Sequence, residues 1–195
     1  MKKLLIPFFL LGLLLNACKK DDATTALKPT ENPIATLLKD ANWTAAAIGA
    51  GKYELGYIFS ASAKGKLTQV AAQMVDPGIY AVSIWDADTK ALLRQKSVEQ
   101  SSPNKFSTAS IDELVIEKDK KYVVSISTSI GAVLKGYNQL KKNGSSTGTI
   151  FPISSGSVVI QKSVYANSAV SVFPAIDYST SNAFYGFADI TFIPD

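Results

Sequence analysis

Nine acidic residues carry most of the chemistry that this chain of 195 residues could perform. They are Asp86, Asp88, Glu99, Asp112, Glu113, Glu117, Asp119, Asp177 and Asp189. Glycoside hydrolysis needs only two facing carboxylates, so the material for it is present. Most of these acids adjoin Lys, Ser or Asn in apparent turns, where an exposed, solubilising carboxylate is expected. Asp189 is set among apolar residues, and its alternation with Ala188 and Ile190 points it outward. There is no His and only one Cys, which excludes a His-based triad, a histidine zinc site and a disulfide within one chain. A non-catalytic protein without a cofactor is the expectation.

Two short motifs bear on ligands. Asp86 and Asp88, in Trp85-Asp-Ala-Asp-Thr-Lys90, are spaced like the first ligands of a calcium loop. The cation needs six to eight oxygens, and no Gly-x₅-Glu completes the loop. The stretch reads as a hairpin turn, with Asp bonding its own backbone, and no metal is expected. Gly49-Ala-Gly-Lys52 echoes a phosphate-binding loop, but Tyr53 follows it and opens a strand where a helix is required. It reads as a turn.

Aromatic residues are the better binding material, at 10% of the chain. Trp43, Trp85, Tyr137, Tyr165, Tyr178 and Tyr185 are the candidates for ligand contact, because carbohydrate sites combine aromatic faces with polar rims. Trp85 lies opposite Tyr80, Val82 and Ile84 in strand alternation. It serves either as a stacking platform or as cover for the outer sheet. Lys135, Lys141 and Lys142 form the densest basic group, in a segment read as part of a long loop from Lys135 to Thr149. No basic and aromatic stripe marks a nucleic-acid surface.

The elements that must position these residues are strands. At 47% apolar and 18% charged, the composition is globular. Leu55, Tyr57 and Phe59 alternate with more polar neighbours, as do Tyr80, Val82 and Ile84, so each set marks a core face. Further runs are Leu67 to Val75, Leu92 to Val98, Tyr122 to Ser127, Val158 to Tyr165, Ala169 to Phe173 and Ala188 to Phe192. One short helix is expected where Asn32 caps and Pro33 starts a segment carrying Ile34, Leu37 and Leu38. Many short strands without crossover helices predict an all-β fold, an antiparallel β-sandwich.

The first residues have a different character. Lys2 and Lys3 precede an apolar stretch from Leu4 to Leu15, which is shorter than the roughly 20 residues of a bilayer crossing and reads as an export signal. Leu15-Asn-Ala-Cys18 resembles the bacterial lipobox, which implies that Cys18 becomes the lipidated first residue of the mature chain. Loss of Lys2 and Lys3 takes the formal charge from +4 to about +2, so the basic pI is a weak argument for nucleic acid. Lys19-Lys-Asp-Asp22 resembles the surface-export signal of Bacteroidetes lipoproteins. The resemblance implies an outer-membrane lipoprotein facing the cell surface, with the periplasmic face as the alternative. The expected organisation is a signal peptide over 1–17, a lipidated tether over 18–40 and one domain over 41–195. About fifteen tether residues give a root-mean-square reach of roughly 20 Å.

Several runs in order resemble an uncharacterised bacterial domain. These are Tyr53-Glu-Leu-Gly-Tyr-Ile-Phe59, Gly65-Lys-Leu-Thr-Gln-Val70, Val82-Ser-Ile-Trp-Asp-Ala87 with Ala91-Leu-Leu93, Lys120-Lys-Tyr-Val-Val-Ser125, and the ending Gly186-Phe-Ala-Asp-Ile-Thr-Phe-Ile-Pro194. The chain departs from that pattern in having Asn104-Lys-Phe106 where a Gly-Trp is usual. The resemblance implies a jelly-roll-like sandwich in secreted, often polysaccharide-associated proteins, and no established activity. The function expected is binding of a glycan or a surface protein. The alternative is a structural or adhesive envelope protein without a small-molecule site.

Overall fold

The computed structural model describes residues 29–144, 148–178 and 182–195; Cys18 and the expected export signal lie outside them. The chain opens with α1 (Pro33–Leu37), β1 (Trp43–Ala50), β2 (Tyr53–Ala61), β3 (Gly65–Gln73), β4 (Gly78–Asp86), β5 (Leu92–Gln100) and β6 (Ser107–Ile116). It continues through β7 (Tyr122–Ser127), the small hairpin β8 (Ser129–Ile130) and β9 (Val133–Leu134), and β10 (Gly136–Lys142). The last elements are β11 (Ile153–Ser155), β12 (Val158–Asn167), β13 (Ile176–Asp177), β14 (Ala183–Tyr185) and β15 (Phe187–Pro194).

The fold is an all-β antiparallel sandwich. The large sheet has the order β11-β12-β2-β7-β4-β5, with β13 on β12; β15-β3-β6 forms a second sheet and β1-β10-β14 a third. The neighbours β12-β2, β2-β7 and β7-β4 come from separate parts of the chain, as in Greek-key and jelly-roll sandwiches. The expected alternation holds on the inner faces. Leu55, Tyr57 and Phe59 of β2 and Tyr80, Val82 and Ile84 of β4 are buried. Opposite them lie Leu67, Val70, Ile190 and Phe192 from β3 and β15, in the same core. The flanks are closed by contact of β5 with β6 and by α1, which touches both β15 and β11.

The helix forms where it was expected, but it is capped differently. Asn32 makes no side-chain cap. Its amide instead donates to the Ile190 carbonyl and to Thr191 Oγ1, at 3.0 and 2.8 Å. The cap comes from Asp189, whose two carboxylate oxygens accept from the Ile34 and Ala35 backbone N–H groups at 3.1 and 2.8 Å. Asp189 is therefore buried, not solvent-facing, because α1 lies over it. Burial pushes its carboxyl up to about 7 against the opposing pull of these N–H bonds and that of Ile190. Glu31 bonds the backbone of Phe192 in both directions, and its carboxylate accepts from Ser157 N and Oγ. The part of the expected tether from Glu31 onward thus belongs to the fold.

Two further expectations are corrected. The Lys135–Thr149 stretch is not one loop, since β10 pairs with β1 from Gly136 to Lys142. Ala169–Phe173 is not a strand; residues 168–175 have no regular structure. These residues cross the outer face of the large sheet as a strap, with Ser171 bonded to Ser83 on β4 and Phe173 set edge-on to Trp85. The strands β1, β6 and β10 have too little apolar alternation to stand out.

Gly56, in the middle of β2, faces outward between Ser125 of β7 and Val164 of β12. A methyl group there would overlap the Val124 carbonyl and Ser125, both fixed by the ladder. The expected outcome of Gly56→Ala is a loss of about 2 kcal/mol or more in chemical denaturation, as for overpacked cores. An unchanged midpoint would show that the β2–β7 pairing yields easily.

Candidate functional site

Strand register decides which side chains meet at the open end of the sandwich. On β12, Tyr165 stands opposite Leu55 of β2, on the inner face. On β10, Tyr137 stands opposite Ile48 of β1, and Gln139 stands opposite Tyr185 of β14. Residues directly opposite each other share a face, so Tyr137, Gln139 and Tyr185 form one wall. Tyr53 and Tyr165 form part of the other. Gly186 ends this wall at a φ of 71°, a conformation that favours glycine. It lets Tyr185 enter the cleft while Phe187 stacks on Phe184 in the core.

The fifth component arrives by the strap. After crossing the outer face, the chain adds β13 to the edge of β12, pairing Ile176 with Tyr165. The Tyr178 N–H then donates to the Ser163 carbonyl at 2.9 Å, which brings the Tyr178 ring to the cleft mouth.

Five tyrosines line the resulting cleft of about 400 Å³, together with Ile48, Leu55, Gln139, Ser163, Val164 and Asn167. Their rings form a closed cycle. Centroid separations run from Tyr53 to Tyr137 at 5.7 Å, Tyr137 to Tyr185 at 6.3 Å, and Tyr185 to Tyr178 at 5.4 Å. The cycle returns from Tyr178 to Tyr165 at 5.8 Å and from Tyr165 to Tyr53 at 6.4 Å. All five contacts are edge-to-face, with interplanar angles between 68° and 87°. Such pairs are favoured by the ring quadrupole. Gln139 Nε2 donates to the Tyr185 hydroxyl at 2.8 Å. Burial, then the neighbouring phenols of Tyr53, Tyr185 and Tyr178, raise the Tyr137 hydroxyl above its ordinary value. Tyr178 is raised first by Tyr185. Among the described residues, no Lys, Arg, Asp or Glu lines the cleft.

Four of the residues singled out from sequence, Tyr137, Tyr165, Tyr178 and Tyr185, are thus brought together, and Tyr53 joins them. The structure places the two tryptophans elsewhere. Trp43 lines a separate concavity of about 290 Å³ with Leu37, Asn42, Lys142 and Pro152. Trp85 is buried on the outer face beneath Phe173, where its indole N–H donates to Ser125 Oγ at 2.9 Å. It covers the sheet and offers no exposed platform. Asp86 and Asp88 form the turn expected of them. Asp86 Oδ1 accepts from the backbone N–H groups of Asp88 and Thr89, and Oδ2 pairs with Lys120 at 2.7 Å. Lys120 and the turn N–H groups hold the Asp86 carboxyl well below the usual range. Among the described residues, no cluster of three or more His, Cys, Asp or Glu could hold a metal ion.

Residues 41–185 match the model of a domain of unknown function, DUF4082. The chain belongs to that family. No curated protein matches it. The matched range takes in β1 through β14, so every tyrosine of the cleft falls within the DUF4082 domain.

Behind the cleft, the DUF4082 domain buries an acid that sequence reasoning passed over. Glu54 follows Tyr53 on β2 and faces outward, yet it is covered completely. Its Oε1 accepts from Ser125 Oγ at 2.5 Å and from Ser171 Oγ at 3.3 Å. Ser171 also bonds Ser83 at 2.9 Å, and Gln95 donates to Ser83 at 3.0 Å. Oε2 has no hydrogen-bond partner among the described residues. Burial, opposed by the two serine bonds, raises the carboxyl from 4.5 to about 8. Between those values the folded domain holds a proton that the unfolded chain has released. This contribution to stability is complete below the unfolded value and is lost as pH rises through the folded one. Chemical denaturation across that range is expected to show stability falling with pH, and Glu54→Gln is expected to remove part of the slope. A slope identical in the variant would place the proton elsewhere.

Proposed function

We propose that this chain is a non-catalytic binding module, held at the outer membrane by lipid on Cys18 and displayed at the cell surface. Its ligand is an end group of a surface polymer, a glycan first and a surface protein second, received in the tyrosine cleft. The observation that carries the reading is the convergence of five tyrosines from separate strands around one cleft. Aromatic walls with a few polar groups are what ligand sites use. Among the described residues, the cleft lining holds no carboxylate, Lys or Arg. Both fully buried carboxylates are placed outside it, with Asp189 capping α1 and Glu54 beneath the strap. This favours binding over catalysis.

The full chain is expected to retain a subset of glycans on an array, and Tyr137→Ala and Tyr185→Ala chains, checked for an intact thermal transition, are expected to lose more than 10-fold in signal. Binding that survives both changes would move the site away from the cleft. Silence on the array combined with crosslinking to a surface protein would favour the second ligand class.

Anchoring is tested separately. Cys18→Ser is expected to release the chain from the membrane fraction, and protease added to whole cells is expected to remove the domain. Membrane retention of the variant would remove the lipid anchor, and protection in intact cells would turn the domain to the periplasmic face.

A further inference from the structure

Resting on the reading of the cleft as the ligand site, we infer that the group entering it is a quaternary ammonium, carried as a substituent on the ligand, and that the tyrosines hold it through their ring faces.

Ring geometry is the first argument. A sugar stacks on a flat platform, whereas here each ring stands nearly perpendicular to the next and the cycle closes on itself. Perpendicular walls make a box. The π-face of a ring is negative, which suits a compact cation, and enclosure by several rings is the arrangement that recognises methylated ammonium.

The second argument is the polar content of the walls. A polyol requires hydrogen-bond partners for each hydroxyl it buries. Gln139 Nε2 is already committed to the Tyr185 hydroxyl, and the Ser163 hydroxyl reaches the Gly56 carbonyl at 3.4 Å. What remains for a polyol is Asn167 and the phenol hydroxyls at the ring edges. A trimethylammonium has no N–H to satisfy, so it suffers least from such walls.

Charge is the third. Among the described residues the cage has no carboxylate, so its charge attraction for a cation comes from the rings, and it lacks the anionic acceptor that ammonium groups with N–H donors prefer. Among the described residues, no Lys or Arg occupies it. The cation–π contacts of the described residues are Lys90 over Phe173 and Lys120 over Tyr122, both outside the cleft. The raised Tyr137 and Tyr178 hydroxyls remain neutral at physiological pH, so the rings act as π-donors and not as phenolates.

The test is calorimetric titration of the full chain, kept in a polyoxyethylene detergent, with choline, with its uncharged isostere 3,3-dimethylbutan-1-ol, and with glucose. Choline is expected to bind at least 10-fold more tightly than the isostere. Tyr137→Phe is expected to keep that preference because the ring face remains, while Tyr137→Leu loses it with an unchanged thermal transition. Equal binding of choline and isostere would overturn the inference in favour of an apolar pocket. Glucose binding without choline binding would also overturn it, yet leave the cleft standing as the ligand site. Silence from all three probes would overturn the ammonium assignment, and the glycan array on the same preparation would then decide whether the binding reading falls with it.

Discussion

The pairing of β2 between β12 and β7 is the constraint on which the rest of the structure depends. β2 lies in the interior of the large sheet, and its two faces do different work. Leu55, Tyr57 and Phe59 supply the inner face with side chains that meet β3 and β15 across the sandwich. Gly56 and Glu54 supply the outer face, where space is left for Ser125 and the strap. Tyr53, at the strand's first position, stands where the inner face reaches the end of the sandwich and turns from core to cleft wall. A one-residue slip in this pairing would exchange the two faces. It would place a carboxylate in the core and remove Tyr53 from the ring cycle together with the packing.

The cleft is thus a consequence of sheet register and not of loop conformation. Tyr137 and Tyr185 share a wall because β10 pairs with both β1 and β14, and Tyr165 faces them because β12 is in register with β2. Sites built on strands are held more precisely than sites on loops. Tyr178 is the exception. It is 39% exposed and reaches the cleft through the strap, whose Ser171 also bonds the buried Glu54. One segment therefore joins a cleft wall on the inner side of the sheet to a buried acid on its outer side.

The sandwich could be read from the sequence because period-two alternation is strong in β2 and β4, the strands with one wholly apolar face. It was weak in β1, where Thr44-Ala-Ala-Ala47 offers little contrast, and in β10, where Tyr137, Asn138, Gln139 and Leu140 mix polar and apolar residues on both faces. Those strands belong to the sheet that carries the Tyr137–Tyr185 wall, so four ring positions could be named as candidates without the means to group them. Tyr53 was hidden for the opposite reason: its alternation with Leu55 and Tyr57 marks it as core, and only the end of the sandwich exposes it. Asp189 and Glu54 were obscured by elements laid over the sheets. A strand pattern shows which way a side chain points, but it does not show that a helix or a strap will cover it. The trans cap of α1 by Asp189 spans the chain from end to end, beyond what local capping patterns reveal.

The chain has eight tyrosines, and Tyr57, Tyr80 and Tyr122 are packed in the core, apart from the five of the cleft. Ring-labelled tyrosine NMR of the full chain, recorded during titration with tetramethylammonium, addresses the central claim most directly. The expected result is through-space contacts linking Tyr53, Tyr137, Tyr165, Tyr178 and Tyr185, with all five shifting together while the core three stay fixed. A titration that moves Tyr178 alone, or that shows no contact between the Tyr137–Tyr185 wall and the Tyr53–Tyr165 wall, would contradict a single tyrosine-built site.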